Sequence, residues 1–121
     1  MKREYPMRPI VGVGAVILQG GNLLLIKRRA EPGKGRWSVP GGSVHLGEKV
    51  RDATIREAKE ESGLDIEIMD DRPLEVFDSI ITDNRGRTQY DFTLLEFLAK
   101  PKGGTLRADE DAAEARWVPI E

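Results

Sequence analysis

The sequence predicts a single domain that is either α+β or α/β with a mixed sheet. Strand-like segments outnumber helical ones, yet one strongly helical segment lies in the middle of the chain. The 121 residues are enough for one compact domain. They are too few for two, because domains usually contain about 100–150 residues. We therefore treat residues 1–121 as one domain built around one core.

The composition excludes several classes of protein. Hydrophobic residues make up 39% of the chain and charged residues 33%, which is typical of globular proteins rather than disordered or membrane-spanning ones. The net charge of −2 provides no overall positive field, so we expect neither nucleic acid nor a membrane as a partner. Because the chain has no cysteine, a thiol nucleophile and cysteine-ligated metals are excluded. No secretory apolar segment follows the N-terminal residues, so we expect a cytoplasmic protein.

Alternating and continuous apolar runs predict the strands. Apolar residues alternate through residues 11–17, and the turn-forming run at 19–22 joins them in a hairpin to the apolar run at 23–26. A loop without periodicity follows, and then a short apolar return at 37–39. Later strands are predicted at residues 66–69 or 74–81, at 90–99 and at 115–118, with polar turns at 83–87 and 101–104.

One helix is predicted over residues 48–62, and Gly63 ends it in the left-handed conformation. The helix face that should pack on the sheet carries both apolar and acidic side chains, namely Val50, Ala53, Thr54, Glu57 and Glu61, with Glu60 beside them. Carboxylates that are crowded and partly buried must take up protons, pair with cations or coordinate a metal. A glutamate-rich surface helix is the alternative interpretation.

The residues around the helix favour a metal over the other possibilities. Gly41 and Gly42 precede the helix and can present main-chain carbonyls to a cation, and basic residues cluster upstream of them. A site made only of oxygen ligands suits Mg²⁺ or Mn²⁺, which also bind substrate phosphates. The residues alone therefore indicate metal-assisted chemistry on a phosphate compound.

The same segment resembles the sequence box of the Nudix hydrolases, G-x5-E-x7-R-E-U-x-E-E-x-G-U with U apolar. Every fixed position is matched, by Gly42, Glu48, Arg56, Glu57, Ala58, Glu60, Glu61, Gly63 and Leu64. Only Ala58 is small for its apolar position, and no chemistry depends on it. The resemblance also covers residues 27–30, 37–41 and 114–119, and it is greatest to compact members such as ADP-ribose pyrophosphatases and nucleoside triphosphate pyrophosphatases.

The resemblance implies an α/β/α sandwich around a mixed β-sheet and hydrolysis of a nucleoside diphosphate derivative. It implies that Glu57, Glu60 and Glu61 hold Mg²⁺ or Mn²⁺ together with the main-chain carbonyl of Gly41 or Gly42. Arg56 is expected to pair with Glu48 and so to keep helix and loop in register. The expected substrate is ADP-ribose, cleaved to AMP and ribose 5-phosphate. A nucleoside triphosphate pyrophosphatase and a non-catalytic nucleotide sensor are the alternatives.

Further site residues are expected outside the helix. Family members take their general base either from the box or from a later acidic loop, so Glu110 is the first choice and Glu57 or Glu61 the alternative. Arg29 is expected to clamp a phosphate, and a surface arginine is the alternative. Trp37 is expected to line the nucleobase pocket, with a core aromatic as the alternative. Gly42 is expected to contact the substrate as well as to border the metal.

The resemblance also implies a second helix after the strand at 115–118, covering the other face of the sheet. The sequence ends at Glu121. We therefore expect either that this C-terminal helix is missing from the sequence or that the second subunit of a homodimer covers the face, because apolar strand residues are not left broadly open to water.

Overall fold

The computed structural model describes residues 2–108 and 112–120. Within these residues it contains one helix and eight strands, which agrees with the predicted mixed α/β class. In chain order the elements are β1 (Ile10–Gln19), β2 (Asn22–Arg28), β3 (Trp37–Ser38), β4 (Gly41–Ser43), α1 (Val50–Ser62), β5 (Leu64–Ile68), β6 (Glu75–Thr82), β7 (Thr88–Gly104) and β8 (Ala112–Pro119).

The sheet is mixed, as predicted. Strand β1 pairs parallel with β7 and antiparallel with β2 and β4. Strand β7 in turn pairs antiparallel with β5 and β6, and β2 pairs antiparallel with β3 and β8. The parallel pair β1–β7 therefore lies at the centre, and the short strand β4 lies beside β1, directly before the helix in sequence.

Helix α1 packs against β1, β4 and β5, and its buried face carries Ala53, Thr54, Ala58, Glu61 and Ser62. The alternating residues Val13, Ala15 and Ile17 of β1 point into the same core, together with Phe97 of β7. The helix ends as predicted. Gly63 has a φ of 77° and its N–H donates to the carbonyl of Lys59 at 2.9 Å.

Three predictions of secondary structure are corrected. The helix begins at Val50 rather than at residue 48, because Lys49 is in an extended conformation. Residues 66–69 and 74–81 were predicted as alternative positions of one strand, but both segments form strands. Strand β5 overlaps the first segment and β6 the second. Residues 101–104 form no turn, because their main chain continues β7 and pairs with β5, with Leu64 opposite Gly104 and Ile66 opposite Pro101.

The described residues contain α1 as their one helix, so the second helix implied by the resemblance does not occur among them. In the same part of the chain, no helix is long and apolar enough to cross a lipid bilayer.

Candidate active site

The carboxylates of Glu57 and Glu61 lie on the buried side of α1, as the spacing predicted. Glu61 is 3% exposed, and the side chain of Glu57 is 14% exposed. The Gly41 N–H donates to Glu61 Oε1 at 2.7 Å. Burial raises the pKa of Glu57, because desolvation penalises the charged form more than nearby Arg56 stabilises it. The helix therefore presents two desolvated carboxylates to the glycine segment.

Both glycines of this segment lie in close contact with neighbouring atoms. A Cβ at position 41 would lie 2.1 Å from the carbonyl oxygen of Val13, and a Cβ at position 42 would lie 2.4 Å from Glu57 Oε1. The pairing of β4 with β1 brings the main chain this close. Bare main chain therefore borders the buried carboxylates.

Arg56 connects the helix to the loop before it. Its Nε and Nη2 donate to the two carboxylate oxygens of Glu48 at 2.8 and 2.9 Å, and Nη2 also donates to the carbonyl of Ser43 at 3.0 Å. The Arg56 guanidinium lowers the pKa of Glu48 to about 2. Arg56 Nη1 also contacts Glu57. The predicted pairing of Arg56 with Glu48 is therefore confirmed.

Glu60 is the outermost of the three helix acids. Its side chain is 42% exposed, and Arg56 Nη1 donates to its oxygens at 3.4 and 3.5 Å. In the described part of the chain, no three acidic or histidine side chains are grouped closely enough to hold a metal ion. Glu60 would have to turn away from Arg56 to join Glu57 and Glu61. The donor set still fits a hard divalent cation, because it is made only of oxygens, with the Glu61 carboxylate buried and that of Glu57 partly buried.

A cavity of about 360 Å³ opens beside these carboxylates and includes Glu61 in its wall. Three arginines also line it, Arg3, Arg28 and Arg36. The remaining wall includes the main chain of the glycine segment and the apolar or aromatic side chains of Trp37, Val39, Phe77, Ile81, Phe92 and Leu94. The guanidinium groups suit phosphates, and the aromatic wall suits a flat ring.

The predicted residues outside the box have different positions. Trp37 lines the cavity, and the Arg116 guanidinium lies 4.8 Å from its ring centroid. Arg29 is not among the lining residues: it is exposed, and its Nη2 donates to the carbonyl of Ala112 at 3.1 Å. Glu110 lies outside the described residues, so its predicted role as general base stays a prediction.

Sequence reasoning missed four charged residues of the cavity. Arg28 and Arg36 lie in the same basic segment as Arg29. Only the strand geometry shows that Arg28 and Arg36 line the cavity and Arg29 does not. Glu96 is a charged residue inside the apolar run of β7, which is a signal that could have found it. Arg3 had no local signal. The neighbouring segment is fixed by Tyr5, whose hydroxyl donates at 2.8 Å to Asp83, 78 residues further along the chain.

Comparisons with known proteins agree with this geometry. The family model described as NUDIX domain matches residues 8–121, so this chain belongs to the Nudix hydrolase family. The ADP-ribose pyrophosphatase of Methanocaldococcus jannaschii is 38% identical over 119 residues, which cover 98% of this chain and 67% of that protein. The 8-oxo-dGDP phosphatase of Mus musculus is 31% identical over 127 residues, covering 98% of this chain and 36% of that protein.

A solved structure shows the same fold. The MutT Nudix hydrolase of Burkholderia pseudomallei superposes with a TM-score of 0.76 and 34% identity, over 93% of this chain and 84% of that one. The chain spans from about a third to about two thirds of the length of the two curated relatives. Nudix hydrolases generally use a divalent metal ion.

Proposed function

We propose that this chain hydrolyses the pyrophosphate bond of nucleoside diphosphate derivatives with the help of Mg²⁺ or Mn²⁺, and that ADP-ribose is its substrate, cleaved to AMP and ribose 5-phosphate. The observation that carries the proposal is the buried carboxylate of Glu61 in the wall of a cavity lined by three arginines, with the partly buried Glu57 one helical turn away. The similarity to an archaeal ADP-ribose pyrophosphatase over nearly the whole chain supports the choice of substrate.

Glu57, Glu60 and Glu61 would hold the cation, together with the main-chain carbonyl of Gly41 or Gly42. When bound there, a divalent cation lowers the pKa of a coordinated water and neutralises charge on the pyrophosphate. Buried like-charged carboxylates are costly without such a partner. The chain therefore gains stability as well as reactivity from the ion.

The other groups of the site bind and orient the substrate. We assign the phosphates to Arg28, Arg36 and Arg3, because a guanidinium donates paired hydrogen bonds to phosphate oxygens. We assign the nucleoside to the wall that contains Trp37. Arg56, fixed by Glu48, contacts Glu57 and so acts as a positioning residue for the helix acids.

The general base is proposed to be Glu110, with Glu61 or Glu57 as alternatives. Substitution separates these assignments. If Glu110→Gln lowers kcat by a few-fold at most while Glu61→Gln abolishes turnover, Glu110 is not the base. If both substitutions abolish turnover, the loop supplies the base and the helix supplies the metal ligand.

A second candidate is favoured by one comparison. The relative from Mus musculus is named as an 8-oxo-dGDP phosphatase, so a nucleotide-pool sanitising activity on oxidised or triphosphate nucleotides deserves direct testing. Such an enzyme would use the same acids and differ only in what the cavity accepts.

One screen tests both candidates. The purified chain is incubated with ADP-ribose, 8-oxo-dGDP and nucleoside triphosphates, with and without Mg²⁺, and the products are separated by chromatography. Metal-dependent release of AMP and ribose 5-phosphate supports the leading proposal. Nucleoside monophosphate from the other nucleotides supports the second candidate. Binding without any product would indicate a nucleotide sensor and contradict both, and the Glu61→Gln variant serves as the inactive control.

A further inference from the structure

Glu96 places a carboxylate on the cavity wall, away from the helix acids. It lies on β7, opposite Gly14 of β1 and Glu75 of β6. Side chains alternate along a strand, so Glu96 faces the cavity with Leu94, while Phe97 points into the core and is 1% exposed. The position is therefore fixed by the register of the sheet and not by a flexible loop.

The Glu96 carboxylate lies against bare main chain and apolar side chains. A Cβ at Gly14 would lie 3.3 Å from Glu96 Oε2 and 3.1 Å from Val39 Cγ2. Burial raises the pKa of Glu96, and the negative charge of Glu75 adds to this. The partly buried Glu96 carboxylate therefore lies beside the main chain of Gly14 and among the apolar side chains of the cavity wall.

Within residues 2–108 and 112–120, the Glu96 carboxylate makes neither a hydrogen bond nor an ion pair. The Glu96 side chain is partly buried, whereas the hydroxyl of Ser38, another residue of the cavity wall, is fully buried and has no partner in the same ranges. Unpaired polar groups that are removed from water cost free energy, so most buried polar groups in folded proteins are paired. An unpaired carboxylate at a cavity wall is explained if a ligand supplies its partner.

The side chains around Glu96 indicate which part of the ligand supplies this partner. Glu96 lies on β7, whereas the acids that we propose as metal ligands lie on α1. Its companions on this wall are Phe92 and Leu94 of β7 and Phe77 of β6, which suit a ring rather than a phosphate. An ionised carboxylate only accepts hydrogen bonds, so its partner must be an N–H or O–H donor.

We propose that Glu96 is a specificity-determining residue, which accepts a hydrogen bond from an N–H or O–H donor on the nucleoside part of the substrate. This inference rests on the proposed function and adds to it the chemistry that the cavity selects. The donor is either the exocyclic amine of the base or the 2′-hydroxyl of the adjoining ribose. A substrate without that donor displaces water from the carboxylate and leaves it unpaired, and is therefore disfavoured.

The experiment measures kcat/KM for three substrates with the wild-type chain and with Glu96→Leu. The substrates are ADP-ribose, its analogue with hypoxanthine in place of adenine, and its analogue with 2′-deoxyadenosine. We expect Glu96→Leu to lower kcat/KM for ADP-ribose about tenfold or more, and to have little effect on the one analogue that lacks the donor. The analogue that is insensitive to the substitution identifies the donor as the amine or the hydroxyl.

Two variants control for other effects. Glu96→Gln keeps an acceptor oxygen and should retain most of the preference for ADP-ribose. Glu67→Leu changes an exposed glutamate of β5, which pairs with Lys100 and does not line the cavity, and should leave all three values of kcat/KM unchanged. Thermal unfolding of Glu96→Leu should show an unchanged or higher Tm, which separates lost recognition from misfolding.

Each remaining outcome is decisive. If Glu96→Leu lowers all three values of kcat/KM equally, or lowers none, the inference is overturned while the proposed function stands. If the wild-type chain hydrolyses none of the three compounds with Mg²⁺ or Mn²⁺, the assignment of ADP-ribose as substrate fails and the inference falls with it.

Discussion

The main chain of Gly42 lies directly against the carboxylate of Glu57, so that a Cβ at position 42 would come within 2.4 Å of Oε1 and 2.5 Å of the carboxyl carbon. The contact joins β4 to the helix at an acid whose pKa is raised by burial. Because the clash would fall on the end of a flexible side chain, an added methyl group would displace the carboxylate rather than the fold.

Gly42→Ala should therefore impair catalysis far more than stability. We expect kcat to fall about 100-fold, because displacement of a reacting group by about 1 Å has this effect. The free energy of unfolding should change by about 1 kcal/mol or less. Steady-state kinetics and urea denaturation measure the two quantities. Unchanged kcat in a folded variant would contradict the assigned position of Glu57.

The neighbouring glycine provides the matched control. A Cβ at position 41 would lie 2.1 Å from the main-chain oxygen of Val13, which cannot move without disturbing β1. Gly41→Ala should therefore lower the free energy of unfolding by about 2–3 kcal/mol. If Gly41→Ala is as stable as Gly42→Ala, the close pairing of β4 with β1 is wrong.

Glu48→Gln should destabilise the fold in a pH-dependent manner. The folded pKa of Glu48 is about 2, below the 4.5 of an ordinary glutamate. The ionised form therefore stabilises the fold above pH 4.5, and this contribution is lost as the pH falls through 2. At pH 7 we expect a loss of about 1–2 kcal/mol, from replacing a carboxylate that accepts two Arg56 hydrogen bonds.

Urea denaturation between pH 2.5 and pH 7 would show this as a difference between wild type and variant that shrinks towards acid. The control is Glu67→Gln, because Glu67 forms an exposed ion pair with Lys100 at 3.3 Å and should contribute only about 0.5 kcal/mol. A difference for Glu48→Gln that is independent of pH would contradict the ionic role of Glu48.

Arg28 and Arg29 are adjacent in sequence, but we expect Arg28 to contribute to substrate binding and Arg29 to the stability of the fold. Arg28 lines the cavity, whereas Arg29 donates to the carbonyl of Ala112. Arg28→Ala should raise KM about tenfold with little change in kcat, because it removes binding shared by ground state and transition state. Arg29→Ala should leave KM unchanged and lower the free energy of unfolding by about 1 kcal/mol. The reverse pattern would support the expectation from sequence that Arg29 binds phosphate.

The arrangement of the side chains in the Nudix box could be predicted from the sequence because it depends on residues that are close together in the chain. Helical periodicity alone places Glu57 and Glu61 on the face that packs on the sheet, and the structure buries Glu61 fully and Glu57 partly. The pairing of Glu48 with Arg56 was implied by the resemblance to the Nudix box, and the structure contains it. Each of these relations depends on one helix and the loop that precedes it.

The rest of the site depends on contacts between distant segments. Which of Arg28 and Arg29 faces the cavity is set by where β2 ends, and Arg3 reaches the cavity from a segment anchored through Tyr5 to Asp83. Residues 101–104 were mistaken for a turn because Pro101 and two glycines are typical of turns, whereas pairing with β5 keeps them extended. Tertiary pairing overrode the local preference.

The most direct test of the account is Mn²⁺ binding measured by electron paramagnetic resonance, in the wild-type chain and in the double variant Glu57→Gln/Glu61→Gln. If the buried helix carboxylates hold the catalytic cation, the wild-type chain binds Mn²⁺ and the double variant binds it at least about tenfold more weakly. Equal Mn²⁺ affinity in the two proteins, with the double variant still folded, would contradict the account.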